Sequence, residues 1–220
     1  MTDWIDHVER ERERYRDGEA RLPGSEDPDA RQRQLARMGN AASGAALSLL
    51  MAGRADEAEE WFARAAERYR ESFESAPPES WGRPIAILKT RVLAGDWERA
   101  EQDARWTLEV GAEAATSPIG RYAAALALLV LGDYTRARVL ADGLRTHDDF
   151  PRAVADALAF VAAHDVLGYI DAVEEVLRSF ETRDAYLEDV AIADTVMVLQ
   201  ALAERRGIVA ELESELLPPG

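Results

Sequence analysis

One short pattern returns four times along the chain, and it constrains the fold more than any other feature. "AGRADEA" ends at Ala58, "AGDWERA" at Ala100, "LGDYTRA" at Ala137 and "LGYIDA", one residue shorter, at Ala172. The closing alanines lie 42, 37 and 35 residues apart. Self-similarity at a spacing of roughly 20–50 residues marks an array of one supersecondary unit, because a single unit cannot bury its apolar face alone. Each match closes one apolar stretch of helical period and opens the next.

The residues inside the pattern have local roles. Gly53, Gly95, Gly132 and Gly168 suit the left-handed residue that ends a helix without a Cβ penalty. Asp96 and Asp133 then suit the cap of the following helix, and Trp97, Tyr134 and Ile170 begin its buried stripe. Ala58, Trp61, Phe62, Ala65, Tyr69 and Phe73 continue such a stripe at i, i+3, i+4 and i+7. Leu35, Met38, Ala42, Ala45 and Leu49 share one face of an earlier helix, while Tyr122 to Leu131 is apolar nearly all round, as a helix flanked on both sides requires. Prolines at 28, 118 and 151 mark helix entries, where the missing N–H costs little. The spacing predicts helices near 3–16, 29–52, 55–74, 83–94, 97–113, 119–131, 134–146, 152–166, 169–181 and 185–205, and no strand. The expected class is all-α: stacked antiparallel helix hairpins with about nine to eleven helices.

Residues 1–28 read as an N-terminal helix, "WIDHVERERERYR", followed by a proline- and glycine-containing linker from 17 to 28; residues 29–220 read as a single helical-repeat domain. The first helix carries Trp4, Ile5, Val8 and Tyr15 on one side, so it is expected to dock as a cap. The segment "GIVAELESELLPPG" alternates Glu211, Glu213 and Glu215 with less polar residues, a period of two, yet Val209, Leu212 and Leu216 also fit one helical face; Pro218 and Pro219 end it, and an extended tail against the last hairpin is the expectation.

Glycine, aspartate, tyrosine and then alanine over 132–137, with small residues at Ala46 and Ala125, resemble tetratricopeptide units, whose period is about 34 residues. The resemblance spans roughly residues 35–180 but is degenerate, since Ala42, Pro84 and Arg121 stand where the family's first helix carries an aromatic. It implies stacked hairpins with a concave surface made by the first helix of each. That register places Asn40, Ser43, Leu47, Ile85, Lys89, Val92, Tyr122 and Leu126 on the surface, mostly apolar residues. Such a groove would be filled, by the N-terminal helix, the tail, a second subunit or a partner's helix; alternatively these residues are the core of a compact bundle. Separately, "DVAIADTVMVLQALAERRGIVAELESELLP" from Asp189 to Pro218 is similar to the C-terminus of the immunity protein 49 family, which implies neutralisation of a toxin by direct binding.

The 220 residues include 42 acidic and 26 basic side chains, a formal charge of -16, and Lys89 is the only lysine. An acidic surface repels phosphate, so nucleic acid is not the expected partner. Scarce lysine with abundant carboxylate resembles halophilic proteins, because at molar salt the screening length falls to about 3 Å and acidic self-repulsion is damped. The charge is uneven: residues 121–164 are net neutral, whereas 165–220 carry -9. That concentration points to a basic protein partner on the face of Glu174, Glu175, Glu188 and Asp189. Asn40, Lys89 and Tyr122, from the concave register, complete the candidate partner-binding set. The longest apolar run, Tyr122 to Leu131, is half of the roughly 20 residues a membrane span needs, and no basic-then-apolar leader opens the sequence; a cytoplasmic location is expected.

Chemistry-bearing motifs are scarce. His7, His147 and His164 stand singly, there is no cysteine, and His147-Asp148-Asp149 precedes a helix entry, where aspartates cap. "LPGSEDPD" and "GNAASGAA" lack the Lys-Ser/Thr ending of a phosphate loop. No cofactor or metal is expected. The sequence therefore predicts a non-enzymatic protein–protein interaction module, with an immunity protein or a structural homo-oligomer as alternatives.

Overall fold

The computed structural model describes residues 4–24, 27–186 and 190–219. Among them are ten α-helices and no strand. They are α1 (Trp4–Arg21), α2 (Pro28–Met51), α3 (Ala55–Glu74), α4 (Gly82–Leu93), α5 (Trp97–Glu109), α6 (Pro118–Val130), α7 (Tyr134–Leu144), α8 (Arg152–Ala163), α9 (Val166–Glu181) and α10 (Asp194–Glu204). Contacts gather the chain into two compact units. One holds Met1–Gly95 with Asp184–Ile192 and Glu215–Gly220; the other holds Asp96–Arg183 with Ala193–Ser214.

In the first unit each helix packs on its sequence neighbour, α1 on α2, α2 on α3 and α3 on α4. Asp27 caps α2 by accepting from the Asp29 and Ala30 N–H groups, and Pro28 occupies the first helical position. The N-terminal helix is docked, and it runs to Arg21, through the stretch expected to be linker. Gly18 allows this: a Cβ there would lie 2.5 Å from Met38 Cγ, so only a bare backbone lets the two helices approach. Tyr15 meets Trp61 of α3 edge-on at 5.4 Å between centroids, and Arg68 donates to the Tyr15 hydroxyl at 3.0 Å. Between these contacts the Glu11 carboxylate is wholly buried opposite Gly44 and receives Arg10 at 2.9 Å and Arg14 at 3.1 Å.

The second unit stacks α5 to α9 in order, and α10 packs on α8 and α9. α6 is buried on every face from Tyr122 to Val130, as its apolar sequence requires. Gly53, Gly95 and Gly132 hold the left-handed conformation, with φ of 71°, 68° and 75°. Asp96 and Asp133 accept from the N–H three residues on.

The fourth turn corrects the expected register. Its left-handed residue is His164, at φ 57°, its cap is Asp165, and Gly168 lies inside α9. The cap-to-cap alignment thus puts Tyr169, fully buried, where the other turns have Ala58, Ala100 and Ala137. Gly168 is a packing glycine: a Cβ would stand 2.8 Å from the Phe160 ring. The last helix is also shorter than expected, beginning at Asp194 and not 185. Val190, Ile192 and Ala193 are buried around half-buried Ala191, where the Ile192 N–H bonds the Val190 carbonyl at 2.9 Å in a tight turn.

After α10 the chain stays non-helical over 208–214. Ile208 and Ala210 are buried while Val209 and Glu211 are exposed, and Gln200 of α10 donates to the Ala210 carbonyl at 3.3 Å.

Candidate interaction surface

α9 presents two faces. Tyr169, Val173, Val176, Leu177 and Phe180 are buried, and Asp171, Glu174, Glu175 and Glu181 are exposed. This is the 3.6-residue stripe of an amphipathic helix with its polar side left in solvent. Asp171 and Glu174 have no ion-pair partner among the described residues, and Glu175 pairs with Arg178 on the surface. An exposed pair of this kind is worth about 0–1 kcal/mol and does not hold Glu175 against a competing cation.

Between α8 and α9 the surface folds inward into a cavity of about 660 Å³. Its floor is apolar: Val154, Phe160, Ala172 and Val176. Its α9 wall carries Asp171 and Glu175; its α8 wall carries Asp156 and Arg152, and Arg183 lies just past α9. Gly168 decides the shape at one end, since any side chain there would displace the Phe160 ring.

The α8 wall is fixed from behind by an ionic lattice. Arg138 reaches Asp142 at 2.7 Å and the Ala159 carbonyl at 2.9 Å. Arg145, only 16% exposed, bridges Asp142 and Asp156 at 2.6 Å each. Its guanidinium also stands 4.9 Å from the centre of the Phe160 ring. Arg152 closes the chain on Asp156 at 3.1 Å. Burial works to raise the Asp142 carboxyl, but the Arg138 hydrogen bond and the charges of Arg138 and Arg145 outweigh it and hold it below the usual range. Networks of this kind rigidify more than isolated surface pairs do.

A second recess of about 590 Å³ lies beside the α6–α7 turn, among Tyr134, Arg138, Val139 and Arg206. Arg206 is committed there: it stacks 3.9 Å from the centre of the Tyr134 ring and donates to the Val161 and Ala162 carbonyls.

The sequence-predicted residues fall in different places. Glu175 lines the groove and Glu174 is exposed on the same helix. Glu188 and Asp189 lie outside the described residues. Asn40 is half-buried and accepts from the Tyr69 hydroxyl at 2.9 Å, and Lys89 is half-buried on α4. Tyr122 is buried on α6. It is 9% exposed, packs against Phe150 at 5.4 Å, and burial followed by the nearby Asp194 carboxylate pushes its hydroxyl pKa up. Val92 and Leu126, from the same expected concave register, are buried as well. All three are packed inside their own units.

Sequence reasoning missed Arg152, Asp156, Phe160 and Arg183. The i,i+4 spacing of Arg152 and Asp156 was a usable signal for a charged outer face. Among the described residues no group of three or more His, Asp or Glu side chains could hold a metal ion, and no helix is long and apolar enough to cross a membrane. No family, no characterised protein and no solved structure matches the chain.

Proposed function

We propose that the chain is a non-enzymatic protein–protein interaction module, a tetratricopeptide-like helical stack that engages a basic partner through the outer face of α9. The carrying observation is the juxtaposition of unpaired carboxylates, Asp171 and Glu174, with an apolar-floored groove on the same helix. The carboxylates steer a cationic surface and raise the association rate; the groove supplies the desolvated contacts that hold it.

The test is capture from the native host on immobilised chain, followed by kinetics with Asp171→Lys and Glu174→Lys. A captured protein should associate at least fivefold more slowly with the double variant at low salt. Equal association at low and high salt would sink the α9 reading.

Toxin neutralisation is a second reading, supported by the tail, which is non-helical over 208–214 where the immunity-family resemblance implies an extended segment. Co-expression with toxins encoded beside the chain tests it: rescue of growth supports it, and rescue by no such toxin removes it. Light scattering decides the homo-oligomer alternative, for which a monomer at all salt concentrations is the excluding result.

A further inference from the structure

We infer that the α8–α9 groove takes a short amphipathic helix of the partner, laid along the groove with its basic end over Asp171 and its acidic end at Arg183. The inference rests on the reading of the chain as a protein-binding module and specifies the ligand of that surface.

The groove is charge-polarised, and the helix register makes it so. Phe160, near the end of α8, touches Gly168, near the start of α9, so the two helices run in opposite directions past one another. Asp171 lies one turn beyond Gly168, and Glu175 one turn further. By the same register Glu175 comes level with the start of α8, and the middle of the groove holds two ion pairs, Glu175 with Arg178 and Arg152 with Asp156. Asp171 marks one end and Arg183, just past α9, the other, with Val154, Ala172 and Val176 on the floor.

The charges are available. Asp171 is unpaired among the described residues, and Glu175 holds only an exposed partner. Arg183 lies 3.7 Å from the centre of the Phe180 ring and has no carboxylate partner among the described residues.

Length selects the class of ligand. At 1.5 Å per residue, the stretch from Pro151 to Phe160 is about 14 Å long, and from Gly168 to Glu181 about 20 Å. A helix of roughly ten to thirteen residues spans that distance. Its i, i+3, i+4 and i+7 side chains would seat on the floor, which is the helix-in-groove mode of recognition. A small molecule would fill part of the 660 Å³ but would not reach both charged ends.

The probes are three fluorescein-labelled synthetic 12-residue peptides with leucine at helical spacing. One carries arginines in its first half and glutamates in its second; one has the same composition interspersed; one is leucine–arginine throughout. Fluorescence anisotropy against the full chain should show the segregated peptide binding at least tenfold more tightly than the interspersed one. Ser179→Trp, an exposed groove residue, should abolish binding while circular dichroism and melting stay unchanged; Ala153→Trp serves if Ser179→Trp disturbs the fold. Asp171→Arg should weaken the segregated peptide at least fivefold, and adding Arg183→Glu should restore it, because the peptide then lies the other way round.

Equal binding of the segregated and interspersed peptides, tightest binding by the all-cationic one, or absence of rescue in the Asp171→Arg, Arg183→Glu variant would overturn the inference. Failure here is separable from failure of the module reading. A host partner whose capture is lost with Glu174→Lys but kept with Ser179→Trp leaves the α9 face in place and removes the groove.

Discussion

Gly39→Ala should destabilise the protein, although alanine is the better helix former. Gly39 lies in the middle of α2, where replacing glycine by alanine ordinarily gains about 1 kcal/mol. Here the new Cβ would stand 2.6, 2.7 and 3.0 Å from three atoms of the Tyr69 ring. That is about 1 Å inside the ordinary carbon–carbon separation of ~3.5–4.0 Å. The ring is only 5% exposed, so it has little room to retreat. Overpacking a core of this kind costs about 1–3 kcal/mol. Any retreat also breaks the 2.9 Å bond from the Tyr69 hydroxyl to Asn40, at about 1 kcal/mol more. The net expectation is a loss of about 1–3 kcal/mol, built from these three terms. Gly143→Ala is the internal control: its Cβ would meet only Arg121, at 3.6 Å, so the helix gain survives. Thermal melts should place Gly39→Ala below the wild type by roughly 2–4 °C per kcal/mol and Gly143→Ala at or above it. If Gly39→Ala melts as high as Gly143→Ala, α2 and α3 do not approach as closely as described.

Asp165→Ala should cost about 1 kcal/mol through loss of the cap on the Gly168 N–H, read as a lowered midpoint in urea. If acidic self-repulsion governs stability, raising KCl from about 0.1 M to molar should raise the melting temperature; an unchanged value rejects salt adaptation. Asp142 is held below its ordinary pKa in the folded state, so its contribution is present above the unfolded value of about 3.9 and is lost as pH falls through the folded one. Asp142→Asn should therefore flatten the decline of stability below about pH 4, measured by urea unfolding at each pH, and an unaltered acid limb would show that the lattice behind the groove contributes nothing.

The helices were legible where sequence chemistry is local. Asp96 and Asp133 cap because a short acceptor followed by an apolar stripe leaves few alternatives, and Tyr122 to Val130 reads as buried because it has no polar face. The misreadings arise from packing between helices, which a one-dimensional period does not carry. Gly18 looks like a linker glycine until Met38 is seen beside it, and Gly168 looks like a turn glycine until Phe160 is. The left-handed His164 gives no glycine signal at all. Of the candidate surface, the acidic stripe of α9 was visible as charge. The groove was not, because Arg152 and Arg183 belong to one site only after α8 and α9 are laid side by side.

The two consecutive arginines after α10 carry a consequence for synthesis. Arg205 donates to the Val130 carbonyl at 3.0 Å, across 75 residues of sequence. Arg206 donates to Val161 and Ala162, across 45 and 44 residues. These oxygens are the ends of α6 and α8, where carbonyls have no intrahelical donor and the helix dipole is negative. On a ribosome adding about 5–20 residues per second, α8 emerges some 2–9 s before Arg206, and α6 some 4–15 s before Arg205. Through that interval water serves the Val130 and Ala162 carbonyls, and Val161 has the His164 N–H of its own cap. The last arginines to emerge complete helices made long before them, so the second unit locks only when its final segment arrives.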